Sequence, residues 1–257
     1  MNASEGNRSA YEKPEVAEKY AITHLQNAEA IILARHADKV LGKRVLDLGC
    51  GGGRTAFFLS QLTEEYVGVD YSRQMIAVCS ERFPGRAFHV CDVRDLSRFA
   101  DGTFDFVLFS FNGLDYVDHE GRLRGLSEIR RIMNDSGLFV FSSHNLDCDD
   151  KDSAPRLQRC YNPRRLLSNV RTYLRQTRNR KRLRVREVHA ADHAILNDPG
   201  IDWSLLTYYI SVPNQVEQAR RAGFDIIEIW DCEGHRVDRP DAGCKATWVY
   251  YVATKSK

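Results

Sequence analysis

The chain has 257 residues, 43% hydrophobic and 28% charged, with a formal net charge of +2, enough apolar material for a sizeable core in one domain. It has no apolar run long enough to span a bilayer, and Met1 to Ala10 are polar, without a signal-peptide core. Seven cysteines, at positions 50, 79, 91, 148, 160, 232 and 244, include no C-x-x-C pair, which argues against a disulfide frame or zinc site and for reduced thiols in a cytoplasmic protein.

Residues 1–13 read as flexible, and Pro14 suits the first turn of a helix. Val16, Tyr20, Leu25 and Ala28 keep roughly helical spacing, a second apolar group runs from Ala30 to Val40, and Gly42 is the stop, so 14–42 is predicted as a helical cap. The apolar run Val45 to Leu48 reads as a buried parallel strand. It passes through Gly49, Gly51 and Gly53 into a helical pattern, Ala56, Phe57, Leu59 and Leu62. Glycines at such a junction let a ligand approach the backbone, and the helix start offers free N–H groups. The glycines fit G-x-G-x-G and not the dinucleotide pattern G-x-G-x-x-G, because position 54 is Arg. Asp47, two residues before the first glycine, would repel a pyrophosphate but suits a ligand carrying an amino group or a cation.

A second strand, Tyr66 to Asp70, ends in an acid. A helix from Gln74 to Arg82 is stopped by Pro84-Gly85. A third strand, Ala87 to Val90, is closed by Cys91-Asp92. Phe104 to Ser110 is a fourth strand, Leu123 to Met133 a helix, Asn134 to Gly137 a turn, and Leu138 to Ser142 a fifth strand. Strand–helix alternation of this kind means an open α/β sheet with right-handed crossovers, which binds ligands beyond the C-terminal ends of its strands. The unusual polar residues fall there: Asp47, Asp70, Asp92, Asn112, Asp115 and His144.

The alternation breaks at about residue 147. Arg156 to Arg186 holds twelve Arg and Lys and no acid, leaving the rest of the chain ten charges negative, so either an anionic partner or a solvated helix face is expected. Asn162-Pro163 opens a helix running to about Arg178, and Asn197 to Gly200 is a turn. Ser204 to Ile210 is β-like, Asn214 to Ala222 helical and ended by Gly223. Phe224 to Trp230 and Thr247 to Thr254 read as antiparallel neighbours at the sheet edge, because no helix separates them.

Val45-Leu-Asp-Leu-Gly-Cys-Gly-Gly-Gly53, Gly68-Val-Asp70-Tyr-Ser, Cys91-Asp92-Val93, Phe104-Asp-Phe-Val107 and Gly137-Leu-Phe-Val140 stand in an order and spacing that resemble the class I S-adenosylmethionine-dependent methyltransferase family, of the small-molecule type. The likeness covers residues 40–145 well and 204–254 in outline. It implies a Rossmann-like, seven-stranded, mostly parallel sheet with an antiparallel edge strand, one methyltransferase domain over 1–257, and an inserted lid, 147–203, after the fifth strand. The implied cofactor is S-adenosyl-L-methionine. Asp47 and the Gly49–Gly53 backbone, Cys50 and Gly51 included, would hold its methionine part, and Asp70 the ribose hydroxyls. Tyr71 and Met75 would flank the adenine, and Asp92 and the Val93 N–H would meet its polar edge. Tyr20 and Asn112 are further cofactor candidates, and Tyr11, Asp115, Tyr161, Arg164 and Arg165 are candidates for the acceptor, a small molecule that the arginines would favour if it is anionic.

Methyl transfer needs alignment, exclusion of water and, where required, a base near neutrality. His144 is the expected base and His235 a second candidate. His189 and His193 have i, i+4 spacing but no third ligand, so no metal is expected. Phe109-Ser-Phe-Asn-Gly-Leu114 is not the [DNS]-P-P-[YF] sequence of enzymes that methylate exocyclic base amines, which argues against a nucleic-acid substrate despite the basic block. Two alternatives stay open, an RNA or protein methyltransferase using that block and a non-catalytic binding subunit. Monomer and homodimer also both stay open.

Overall fold

A computed structural model describes residues 3–12, 16, 23–149, 151, 153–239 and 243–256, and the elements are named here in chain order. They are α1 (Ala3–Tyr11), α2 (Asn27–Arg35), β1 (Val45–Leu48), α3 (Ala56–Leu62), β2 (Tyr66–Asp70), α4 (Arg73–Arg82), β3 (Ala87–Val90) and β4 (Phe104–Phe109). Then come α5 (His119–Ile132), β5 (Met133–Asn145), α6 (Pro163–Arg184), β6 (Val188–His189), β7 (His193–Leu196), β8 (Thr207–Ile210), α7 (Val212–Arg221), β9 (Phe224–Asp231) and β10 (Trp248–Lys255).

The strands form one sheet in the order β3-β2-β1-β4-β5, with β10 pairing with β5 and carrying β9 outside it. Strands β1 to β5 run parallel, while β10 is antiparallel to both β5 and β9, as the missing helix between the last two strands implies. The chain leaves β1 in one direction toward β3 and returns on the other side at β4. That reversal opens a crevice at the C-terminal ends of β1 and β4.

Period-two alternation sorts the side chains. Val45, Phe106, Leu108, Leu138, Val140, Tyr250 and Val252 face Ala28, Ile32 and Leu33 of α2 and Ala56 and Leu59 of α3. Leu46, Leu48, Val107, Phe109, Phe139 and Phe141 face Leu126, Ile129 and Ile132 of α5 and Val212 and Ala219 of α7. Asp47 belongs to the first set and is the polar member of a strand otherwise wholly apolar.

Four expectations change. Residues 3–11, read as flexible, form α1. Its Asn7 is buried and donates from Nδ2 to the Tyr116 and Leu206 carbonyls, at 3.0 and 2.7 Å, while Oδ1 accepts from the Leu206 N–H at 3.0 Å. The predicted turn at Asn134–Gly137 is a bulge inside β5, where the register against β4 shifts between Phe104 and Phe106. The sheet has ten strands because β8, β7 and β6 add a wing past the end of β4, with β8 pairing with His144 and Asn145 of β5. The helix expected to end near Arg178 continues to Arg184. Pro14 and Tyr20 lie outside the described residues.

Candidate active site

A cavity of about 160 Å³ opens in the crevice, walled by the ends of β1, β2 and β4, by residues 91–94 and by α1. Asp47, Gly49, Cys50, Gly51, Asp70, Tyr71, Met75, Asp92, Val93 and Tyr11 line it. Gly53 does not, but it sets the loop. Its φ is +87°, and a Cβ there would stand 2.5 Å from the Phe83 ring. Gly49 has φ +63°, and a Cβ there would come within 2.8 Å of Phe109, so the strand can meet the loop only with glycine.

Asp47 is buried and accepts at Oδ2 from the Thr55 hydroxyl at 2.7 Å and the Tyr66 hydroxyl at 2.9 Å. Oδ1 accepts no hydrogen bond among the described residues. Burial pushes this carboxyl up to about 6 even though both hydroxyls pull it down. Asp70 is placed in the same way. Oδ2 accepts from the Gly51 N–H at 3.1 Å and Oδ1 from the Ser72 N–H at 2.8 Å, and burial raises it to about 6. Asp92 differs. Burial would raise it, but Arg94 gives it a backbone N–H and two guanidinium bonds, at 3.0, 2.9 and 2.7 Å, and these hold it below the usual carboxylate range. Among the described residues the buried Tyr71 hydroxyl has no hydrogen-bond partner, and its ring stands 6.2 Å from that of Tyr11.

After β4 the backbone takes two consecutive left-handed non-glycine residues, Phe111 at φ 53° and Asn112 at φ 62°. Such a pair costs roughly 1–3 kcal/mol per residue and persists where the surroundings fix it. Here the Asn112 N–H donates to the Ser142 hydroxyl at 2.7 Å. The turn puts Phe111 on the cavity and Asn112 behind it, with Asn112 Nδ2 3.3 Å from His144 Nε2. Asn112 therefore touches the expected base and does not line the cavity.

Asp115, expected to meet the acceptor, does not line the cavity either. It is fully buried and accepts from His144 Nδ1 and the His144 N–H, both at 2.7 Å, from Ser143 Oγ at 2.7 Å and from Arg122 Nη1 at 2.6 Å. Arg122, itself wholly buried, satisfies its other donors on the Leu114 carbonyl, Ser143, Gln215 and Gln218, and lies 4.5 Å over the Tyr208 ring. With Nδ1–H donated to Asp115, His144 presents a lone pair on Nε2. Its ring packs 5.0 Å from Tyr209 and 6.4 Å from Tyr116, and Tyr116 lines the cavity.

None of the described residues between 147 and 203 lines this cavity. Tyr161, Arg164 and Arg165 are exposed, and Asn162 caps the start of α6 by accepting from the N–H groups of Arg164 and Arg165 at 3.0 and 3.2 Å. Within the expected lid, α6 is largely exposed, whereas β7 is buried and Ile201 packs on the cluster of Tyr11, Met75, Tyr71 and Tyr116 beside the cavity. His235 is exposed, bonded to Asp231 at 3.2 Å and not part of the cavity lining, and His193 stacks on His119 at 4.2 Å instead of facing His189.

Sequence reasoning missed a second buried array. Arg54 forks onto Glu29 of α2 with two bonds of 2.6 Å, Ser110 bonds the same carboxylate, and Tyr250 reaches it at 3.1 Å. Burial would raise Glu29, but the Arg54 contacts outweigh it and lower the carboxyl. The signal for Arg54 was present, an arginine closing a glycine loop. Nothing local marks Glu29 as its partner.

Residues 45–137 match a family model described as a methyltransferase domain. Over 116 residues the chain is 38% identical to a magnesium-protoporphyrin O-methyltransferase of Rhodobacter capsulatus, covering 43% of this chain and 50% of that protein. It is 33% identical over 107 residues to a ubiquinone/menaquinone biosynthesis C-methyltransferase of Geotalea uraniireducens, covering 38% and 44%. The chain thus spans about half the length of the curated relatives it matches. Among solved structures, the CcbJ methyltransferase from Streptomyces caelestis superposes with a TM-score of 0.63 at 16% identity, covering 98% of this chain and 99% of that one. The 1,6-didemethyltoxoflavin-N1-methyltransferase of Burkholderia thailandensis, solved with its acceptor and S-adenosylhomocysteine, gives a TM-score of 0.55 at 20% identity, covering 90% and 77%.

Proposed function

Because residues 45–137 form a class I S-adenosylmethionine-dependent methyltransferase domain, we propose that the chain moves a methyl group from that cofactor to an O or N atom of a small molecule, with His144 as general base. One observation carries this reading. The Asn112–His144–Asp115 array, which follows β4 and ends β5, stands behind the cavity at the ends of β1, β2 and β4, and Tyr116 joins the two, lining the cavity with its ring 6.4 Å from that of His144.

The cavity suits the cofactor. Asp47 has an unbonded carboxylate oxygen for an ammonium, Asp70 keeps a free lone pair on each oxygen for two hydroxyls, and the orphaned Tyr71 hydroxyl lacks a partner that a polar ligand supplies. Tyr71 and Met75 would flank the adenine, with Asp92 and the Val93 N–H at its polar edge, and Tyr11, Tyr71 and Tyr116 offer ring faces that attract a cation. When bound, the cofactor supplies a methyl group on a sulfonium.

The chain's own residues do the rest. Asp115, held by Arg122 and Ser143, fixes His144 with Nδ1–H toward it, so that Nε2 takes the proton from an acceptor O–H or N–H. Asn112 Nδ2 now occupies the position from which that proton would come. α1 covers the cavity and excludes water, with Glu12 just beyond it bonding the N–H groups of Arg73 and Gln74 at the start of α4 at 3.2 and 3.4 Å. Of the two curated relatives, one is an O-methyltransferase, in line with this acceptor chemistry, and the other a C-methyltransferase.

Titration of the full chain with S-adenosylhomocysteine, followed by release of that product from S-adenosylmethionine across a panel of phenols, alcohols and amines, tests the proposal. His144→Ala should bind the product as the parent does and lose about 10²–10⁴-fold in turnover. Absence of binding in the parent would overturn the function, and full turnover in the variant would overturn the base.

A further inference from the structure

We propose that the outward face of α6 is a docking surface for an anionic lipid bilayer, a role separate from methyl transfer. α6 has 22 residues and is therefore about 33 Å long. Its inner side is held at few points. Leu183 is buried against Ile195, Leu206, Tyr208 and Ile210. Asp202 takes Arg175 at 2.6 Å and Gln176 at 2.9 Å through its carboxylate, and Asn179 at 3.0 Å through its carbonyl. Among the described residues Arg175 is the one cation of α6 with an acidic partner.

The outer side carries two kinds of group on one line. Leu167, Arg171, Leu174, Arg178, Lys181 and Val185 recur at helical spacing, so they stack along a single stripe. The apolar members are strongly exposed: Leu167 at 53%, Leu174 at 60% and Val185 at 83%. Tyr161, just before the helix, is fully exposed as well. Solvated helix faces of globular domains do not need three aliphatic side chains in line, and their exposure costs free energy unless something covers them.

Charge and apolarity together select the occupant. With no acid from Arg156 to Arg186, the face complements a negative surface, while the remainder of the chain, ten charges negative, is repelled by that surface and turned away from it. A nucleic acid would use the arginines but gain little from Leu167, Leu174 and Val185, because single strands are gripped by aromatic stacking and duplexes through phosphates. A bilayer uses both. The aliphatic groups enter the headgroup–acyl boundary, the long Arg and Lys stems lie along it with their charges at lipid phosphates, and an amphipathic tyrosine suits the same depth. No helix among the described residues is long and apolar enough to cross a membrane, so the contact is peripheral.

Co-sedimentation of the full chain with vesicles of phosphatidylcholine, with and without phosphatidylglycerol, tests this. Binding is expected only with the anionic lipid and should weaken as salt rises. Leu167→Ser with Leu174→Ser keeps every charge and should lower vesicle partition about tenfold or more, while leaving S-adenosylhomocysteine binding unchanged. Arg171→Gln with Arg178→Gln should lower it as well. Failure to bind anionic vesicles at low salt would overturn the proposal, as would vesicle binding indifferent to the leucines. So would tight binding of a single-stranded RNA that survives the leucine substitutions, or self-association of the parent that they abolish.

Discussion

Replacing Asp70 by Ala separates binding from stability. Each carboxylate oxygen of Asp70 keeps a lone pair for a ribose hydroxyl, and a hydrogen bond to a charged group contributes about 1.5–3 kcal/mol. Two such bonds make about 3–6 kcal/mol, so affinity for S-adenosylhomocysteine should fall about 10²–10⁴-fold. Stability should move little. In the ligand-free fold this carboxyl titrates at about 6 instead of 3.8, so its ionised form is disfavoured by about 3 kcal/mol at neutral pH, and deleting it removes that penalty. Deletion also strips partners from the Gly51 and Ser72 N–H groups, at about 1–3 kcal/mol each, and the two effects offset to within about 3 kcal/mol. Calorimetric titration with the product gives the first quantity, and urea unfolding of the ligand-free chain gives the second. A variant that binds within about threefold of the parent would refute the ribose assignment. Strong destabilisation would refute the claim that the charge is held at a cost.

The pH dependence follows from the same shifts. Asp47 and Asp70 have folded pKa values near 6, above 3.8, so the stability they add belongs to their protonated forms. It is fully present below about pH 4 and lost as pH rises through about 6. Product affinity runs the other way, rising through that window by roughly tenfold per pH unit for each carboxylate that must be ionised, and a flat calorimetric profile from about pH 7.5 to 5 would contradict it. Glu29→Gln leaves the Arg54 cation buried beside an amide and should cost about 3–5 kcal/mol in urea unfolding. Because Glu29 is lowered in the fold, its contribution is present above pH 4.5 and is lost on acidification, opposite in sign to the two aspartates.

Much of the cavity lining was legible because it is local. A glycine loop needs its positive φ angles wherever the helix ends up, and an acid at a strand's end projects toward the crevice once the strand is parallel. The surroundings of His144 were not. Asp115 and Asn112 read as ligand contacts because both follow β4, yet the left-handed turn at Phe111–Asn112 points them at His144. Arg164 and Arg165 read as lid residues because they lie in the insertion, yet both are exposed at the start of α6 and face water.

Periodicity along the chain determined which elements form, which strand faces are apolar, and that Asp47, Asp70 and Asp92 stand at strand ends. It did so because hydrogen bonding within an element and the two- and 3.6-residue repeats are properties of neighbouring residues. Only the tertiary structure decided which charges meet. Glu29 finds Arg54 and Tyr250 because α2 packs on the sheet face that carries Val45, Phe106 and Val252. Arg122 finds Asp115, Ser143 and Gln215 because α5 and α7 cover the other face. Buried charges must be paired, but which partner is within reach depends on how helices far apart in the chain lie across one sheet.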